Sequence, residues 1–465
     1  MFEIIFTYLI LLSAAGLVLS SIVATFTRKN RGQFVTSLMF LLITLISSTY
    51  LLATNYNITI LGVFHIYPFS SLFIMLFSVA LILVNTLSYA YSSDYSNLSL
   101  LLAFTFMGTI IVASATSIIE IFIGLELMAI ATSFMILFEG KHRTEAAIKF
   151  FILSSLSIAV FSFALVLIFP FNAQLTLTPI AQNPNISGIY LIIFSMALFA
   201  AAFGFDAALF PFNLWIPDVY QGAPTYVTSM LAGINKKIAF VALMEVFLFV
   251  FIAYQSTFSM IFVVLAILTM FFGNLLALVQ KNIKRMFAYS SIAQAGYILI
   301  GIAVTTQYGI EASIFYIIAH SFMIIGAFAI VLWLESKNIR TVDDYAALNS
   351  RNSFAAISLT LIMLSMAGIP PLIGFAGKFL LFSSALSANM LLLAILAIIN
   401  SFISIYYYGR VINVMYLSKE QKKLRIDPYI AAVVVIVLAV IIIFGIYPQP
   451  LINVASIASK SILGI

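Results

Sequence analysis

The chain has 465 residues, of which 64% are hydrophobic and only 8% charged, against about 25% charged in a soluble globular domain. It has no cysteine, which excludes disulfides, iron–sulfur clusters and thiolate metal sites on this chain. The formal net charge of +6 raises the question of a nucleic-acid partner, and the placement of the charges answers it below.

Apolar runs of roughly 20 residues recur from end to end, each long enough to cross a hydrocarbon core of about 30 Å. Backbone polar groups in lipid must satisfy one another, which leaves helices or a closed barrel. The runs are continuous rather than alternating, so helices are expected. The expected fold is all-α and polytopic, with about fourteen transmembrane helices at roughly 3–25, 34–53, 68–91, 98–116, 117–138, 145–169, 187–221, 224–254, 257–281, 286–305, 309–335, 353–385, 389–417 and 428–447. Met1 to Thr27 lacks a short apolar core followed by a small-residue cleavage site and is expected to be a retained span. The seventh and twelfth segments are too long for one span and contain prolines. The seventh is expected to break at Phe210-Pro211-Phe212 and again near Pro217, and the twelfth at Gly368-Ile369-Pro370-Pro371, because proline removes a donor and clashes with the preceding turn.

The basic residues give an orientation. Arg28, Lys29 and Arg31, then Lys141 and Arg143, then Lys281, Lys284 and Arg285, then Lys337, Arg340 and Arg351, and finally Lys419, Lys422, Lys423 and Arg425 all fall in odd-to-even connections. That is fifteen of the 21 Lys and Arg. The positive-inside rule then predicts cytoplasmic basic loops and both termini outside, in the plasma membrane. The charge is an insertion signal spread over five loops, which sets aside the nucleic-acid reading. Asn57-Ile58-Thr59 and Asn185-Ile186-Ser187, in the long outer connections, are glycosylation sequons of a kind common by chance.

Charged side chains inside spans cost about 2.5–3.5 kcal/mol each even on the mildest scale, so those that occur need a reason. Glu126 lies in the fifth segment, Asp206 in the seventh, Lys236, Lys237 and Glu245 in the eighth, His320 in the eleventh and Lys378 in the twelfth. Glu120 and Glu145 sit nearer span ends and are secondary candidates, as is Glu245, while Lys149 reads as a lysine snorkelling to the interface. One buried ion pair can simply fix helix register, and a lone histidine such as His320 is commonly a packing residue. A series of acids and bases on several helices, two of them broken, instead has the composition of a proton relay. Broken helices free backbone groups that can hold water along such a path. Nothing supports haem ligation by the three scattered histidines His65, His142 and His320, and no metal or cofactor is expected on this chain.

Several of these stretches are similar to a known family. Gly124-Leu125-Glu126-Leu127-Met128 resembles the helix 5 motif of the antiporter-like subunits of respiratory complex I, and Glu145-Ala146-Ala147-Ile148-Lys149 resembles the start of helix 6 in subunit N. The run Pro211-Phe212-Asn213-Leu214-Trp215-Ile216-Pro217-Asp218 with Val219-Tyr220-Gln221-Gly222-Ala223-Pro224 is close to that subunit's signature, and is highly specific. Asn282 to Tyr297 resembles the helix 9–10 turn, and Ser365 to Phe379 broken helix 12. The resemblance covers about 98–417. It implies inverted repeats, with 1–97 as three leading helices, 98–254 and 257–417 as two half-channels, and 418–465 as a cytoplasmic loop, a fourteenth helix and the C-terminus. It also implies a proton-translocating subunit of a complex I-like NADH-quinone oxidoreductase, with redox centres and quinone site on partner subunits. Glu126 falls at the helix 5 acid, Lys236 at the helix 8 lysine and Lys378 at the helix 12 lysine. One position departs: the family's helix 7 lysine is replaced by Asp206. Two close carboxylates cannot both ionise cheaply, so Glu126 and Asp206 are expected to be coupled, with Lys236 or its extra neighbour Lys237 as the cation. A cation/proton antiporter subunit of the same fold and a structural membrane scaffold are the rival readings.

Overall fold

The computed structural model describes residues 2–138, 143–180, 186–417 and 423–464. Lys141, His142, Asn185, Lys419 and Lys422, which carry expectations above, lie outside the described residues. Six helices match the first six segments: α1 (Phe2–Thr27), α2 (Asn30–Ala53), α3 (Pro68–Tyr91), α4 (Tyr95–Ala113), α5 (Ile118–Ile136) and α6 (Arg143–Ile168). A short antiparallel hairpin, β1 (Ile58–Ile60) and β2 (Phe64–Ile66), fills the connection from α2 to α3, with Thr59 opposite His65. The chain continues through α7 (Ile186–Ala207), α8 (Ile216–Gly222), α9 (Thr225–Met230) and α10 (Lys236–Glu245). Then come α11 (Gln255–Leu278), α12 (Ile283–Val304), α13 (Gln307–Glu335), α14 (Leu348–Arg351), α15 (Ser353–Ala367), α16 (Ile373–Ser387), α17 (Leu391–Tyr416), α18 (Pro428–Ile446) and α19 (Gln449–Leu463). Twelve helices among the described residues are long and apolar enough to cross a membrane.

The helix starts follow capping chemistry. Ser117 and Glu120 form a capping box on α5, and Asn282, Thr306, Asn352 and Asp427 each accept a backbone N–H in the first turn of α12, α13, α15 and α18. Each such cap satisfies one of the N–H groups a helix start leaves orphaned. The twelfth segment divides as expected. Gly368, at φ +90°, ends α15, and the amides of Gly368 and Ile369 both return to Leu364 O. A left-handed residue at this place suits glycine, which has no Cβ to clash.

The seventh segment differs from expectation at Pro217. The helix does end at Ala207, ahead of Pro211, but Pro217 opens α8 instead of interrupting a helix. In a first turn the missing N–H of proline costs nothing, because that group has no intrahelical partner there. The eighth segment, expected as a plain helix, is not one. It contains two π turns, Leu231–Asn235 and Val246–Val250, on either side of α10. A further helix, α19, follows the expected last span; at 15 residues it is too short to cross a bilayer.

The chain forms two compact units. The first comprises 1–207, 234–261 and 456–465. In it α4 and α5 cross so closely that a Cβ on Gly108 would meet Gly124 O at 2.7 Å, and one on Gly124 would meet Gly108 O at 2.9 Å. Small residues permit this approach, as is common between membrane helices. The second unit comprises 208–233 and 262–455. Its α13 is buried along nearly its whole length, as expected of a helix apolar on every face. Here α11 and α12 make an equally close crossing: a Cβ on Gly273 would meet Ala293 N at 2.4 Å, and one on Gly296 would meet Met270 N at 2.8 Å.

Candidate functional site: buried charges in two settings

In the first unit, α5, α6 and α7 line a partly open cavity with about 20 Å³ of water-sized space, large enough for about one water molecule. Glu126 of α5 and Asp206 of α7 both line it, with Ser154 and Ser157 of α6 and the rings of Phe122 and Phe161. The two acids expected to be coupled thus share the lining of one pocket. Glu126 Oε2 is buried and has no hydrogen-bond partner among the described residues. Beneath the motif glycine the reason is packing, since Gly124 admits α4, while the glutamate two residues on turns toward α6 and α7.

Lys236 and Lys237 are 1% and 0% exposed and open α10 immediately after the first π turn. A π turn admits one extra residue into a helix and turns the following side chains through about 100°, so it determines which way each lysine faces. Asn235, the last residue of that turn, donates from Nδ2 to Thr132 Oγ1 of α5 at 2.7 Å, which ties the start of α10 to the helix carrying Glu126. At the other end of α10, Glu245 is fully buried. Of the remaining acids, Glu120 is held in its cap: its carboxylate accepts from Thr116 N at 2.5 Å and Ser117 N at 3.2 Å. Glu145 is exposed in the first turn of α6.

The second unit treats its lysine differently. Lys378, 2% exposed on α16, donates from Nζ to Ala367 O at 3.1 Å and Ser401 Oγ at 3.0 Å, and sits 4.6 Å from the centroid of the Tyr297 ring. Ala367 O is available because α15 ends there; an unbroken helix would have used that carbonyl internally. The ammonium is thus held by a carbonyl, a hydroxyl and an aromatic face, all neutral. Cation–π contacts of this kind strengthen away from water. Tyr297 continues into an amide and hydroxyl network: Asn274 Nδ2 donates to Tyr297 Oη at 3.3 Å and to Asn400 Oδ1 at 3.1 Å, and Tyr407 Oη donates to Asn274 Oδ1 at 3.1 Å. Ser290 is bonded to Tyr408, and Tyr316 Oη donates to Gln294 Oε1 at 2.5 Å. His320, fully buried, lies one helical turn beyond Tyr316, with ring centroids 6.5 Å apart.

At one end of this unit the signature residues bind each other. Arg285 Nη1 pairs with Asp218 Oδ1 at 2.6 Å and donates to Gln221 Oε1 at 3.1 Å. Lys284 Nζ donates to Ala223 O at 2.7 Å and lies 3.4 Å from Glu335 Oε2, which also accepts from the Thr225 hydroxyl. The residues that look most diagnostic in sequence therefore clamp the turn between α8 and α9 to α12 and α13.

Comparison with known proteins places this arrangement. The profile of the family described as NADH:quinone oxidoreductase/Mrp antiporter, TM matches residues 115–404, well over half the chain. The chain belongs to that family. It is 37% identical over 397 residues to F(420)H(2) dehydrogenase subunit N of Methanosarcina mazei, covering 81% of this chain and 80% of the relative. It is also 37% identical over 466 residues to NADH-quinone oxidoreductase subunit N of Desulforamulus reducens, covering 98% and 97%. Among solved structures it is similar to a chain of respiratory complex I from Thermus thermophilus with bound aureothin, at TM-score 0.84 and 26% identity, covering 96% of this chain and 98% of that one.

Within the family match lie Glu126, Asp206, Lys236, Lys237, His320 and Lys378, and the secondary candidates Glu120, Glu145 and Glu245. The sequence reading missed the neutral partners. Tyr297, Ser401, Asn274, Asn400 and Tyr407 surround or extend the Lys378 site, yet none is ionic at neutral pH. Their signal was available as uncharged polar residues in mid-span, above all Asn274 and Asn400.

Proposed function

We propose that this chain is the proton-translocating membrane subunit of a complex I-like oxidoreductase, carrying protons through its buried acids, lysines and histidine while partner subunits hold the redox centres. The observation that carries the reading is full-length likeness to subunit N proteins together with Lys378 docked on a helix break inside a neutral cage. The two curated relatives, equally identical to this chain, bear names with different electron donors, F420H2 and NADH. That supports a role in the part of the machine common to both, which is proton movement rather than the redox chemistry.

In this reading Glu126 and Asp206 exchange protons through their shared cavity, with Lys236 or Lys237 as the moving countercharge. Lys378 and His320 serve the second half. The repeats run over 98–254 and 257–417, and the basic loops face the cytoplasm of a plasma-membrane protein with both termini outside. The family also contains antiporter subunits, and the subunit N relatives favour the oxidoreductase reading over that one. The test is Lys378→Ala in the assembled complex, reconstituted in vesicles. Proton pumping and the electron transfer coupled to it are expected to fall together while assembly stays normal; unchanged pumping with normal assembly overturns the reading.

A further inference from the structure

Glu245 stands apart from the acids considered so far. It is the last residue of α10, fully buried, and its Oε2 has no hydrogen-bond partner among the described residues. A carboxyl placed there with half its acceptors unmet is costly unless its state changes in use. Its Oε1 accepts from the hydroxyl of Tyr67 at 3.4 Å, long for an O–H···O bond and therefore a hold that can let go.

Tyr67 is set from outside the helices. It caps α3 through a reciprocal pair of bonds with Ser70, Tyr67 N to Ser70 Oγ at 2.8 Å and Ser70 Oγ to Tyr67 O at 2.9 Å. Its ring lies against His65 of β2, centroids 4.5 Å apart and planes 12° from parallel. His65 is fixed in turn: Nε2 is 2.8 Å from Asn57 Oδ1, and its backbone N donates to Ser114 O at 2.7 Å. Thr116 Oγ1 donates to Gly62 O at 3.1 Å, so the hairpin is stitched to the connection between α4 and α5. Phe69 and Phe249 complete the surroundings of the Tyr67 ring. Glu120, held in its cap, is the other acid that acts electrostatically on Glu245. The hairpin lies in a connection without Lys or Arg, at the opposite end of α2 from Arg28, Lys29 and Arg31.

We infer that Glu245 is the outermost acid of the first unit's proton path, and that Tyr67, carried by the β1–β2 hairpin through its stack on His65, is the residue that positions it. The inference rests on the proton-translocating reading above. The phenol stabilises the carboxylate left behind when a proton departs, and the hairpin ties that hold to the outer surface.

Double-variant comparison in the assembled, vesicle-reconstituted complex tests it. Glu245→Gln is expected to lower pumping at least tenfold and Tyr67→Phe at least threefold, both with normal assembly. The double variant should pump no worse than Glu245→Gln alone, because the hydroxyl has nothing left to position. His65→Phe, which keeps the stack, should pump normally, while His65→Ala should resemble Tyr67→Phe; a purely structural role would not give that rescue. Normal pumping by Tyr67→Phe, or effects that multiply in the double variant, overturns the inference. Should Tyr67→Phe fail to assemble, Glu245→Gln decides alone, and its normal pumping overturns it. If Lys378→Ala stops pumping and Glu245→Gln does not, only this inference falls; if neither does, the parent reading falls with it.

Discussion

The two units hold buried charge by opposite means. In the first, two acids line one cavity of about 20 Å³, and two adjacent lysines open a helix bounded by π turns. In the second, one lysine rests on a carbonyl, a hydroxyl and a ring, with an amide and hydroxyl network behind it. Both rest on the same frame, a pair of helices crossing on two glycines. The difference teaches that a charge can be kept in a span either by partners that also titrate or by neutral groups that do not. The first arrangement responds to protonation of any member, and the second mainly to whether the ammonium stays or leaves.

The sharpest way to break this contrast is at Asp206. Asp206→Leu removes a group of the acid pair and is expected to cut pumping by about 100-fold, the lower part of the range for a lost proton-transfer group. Asp206→Asn should distort the pH dependence of pumping, and Asp206→Lys should be tolerated better than leucine. If the leucine variant pumps normally, the first unit's cavity is not on the path. In the second unit Tyr297→Leu deletes the aromatic face beside Lys378; a desolvated cation–π contact is worth about 2 kcal/mol, so pumping should fall roughly 30-fold. Tyr297→Phe keeps the face and loses only a neutral hydrogen bond, so its loss should stay below about tenfold. Equal losses would mean that the hydroxyl matters and not the ring.

The shared frame gives a third test. Gly124→Ala and Gly296→Ala each force a Cβ into a neighbouring backbone and should destabilise by about 1–3 kcal/mol, read as lower thermal midpoints and yields in both cases. A pumping defect without a stability defect would show that these glycines do more than admit a neighbour. The smallest effect is expected at Asp344, an exposed residue in a short 3-10 turn of the second unit. The amide of Thr341, and after it that of Arg340, hold its carboxyl below the usual carboxylate range. A lowered value means the carboxylate adds stability above that range and loses the addition as pH falls through its folded value. Asp344→Asn should therefore lower the thermal midpoint slightly at neutral pH and not at all in strong acid.

Much of this was legible in the sequence because hydrophobic length and proline placement act locally. The spans, the end of α7 before Pro211 and the division of the twelfth segment at Gly368 all follow from a residue and its near neighbours. That Glu126 and Asp206 should be considered together was legible because both are charges inside spans, and the fold puts both in the lining of one pocket. The π turns were not, since Leu231 to Asn235 and Val246 to Val250 carry no proline and only one glycine, and a π turn is set by packing on several sides. Tyr297 and Tyr67 read as ordinary aromatic bulk; only the fold shows that one supplies its face and the other its hydroxyl. α19 escaped because its 15 residues are too few for the length test that found the spans.

The neutral cage around Lys378 has an electrical consequence. A transmembrane potential acts on net charge, at about 2.3 kcal/mol per elementary charge per 100 mV for a full crossing. In the first unit Lys236, Lys237 and Glu245 are buried on the same helix, α10, so a displacement of that helix carries charges of both signs. Among the described residues no carboxylate is bonded to the ammonium of Lys378, so the part of the field that falls across its site acts on its full charge. Its occupancy of the cage is therefore tied to the voltage that the working machine itself builds.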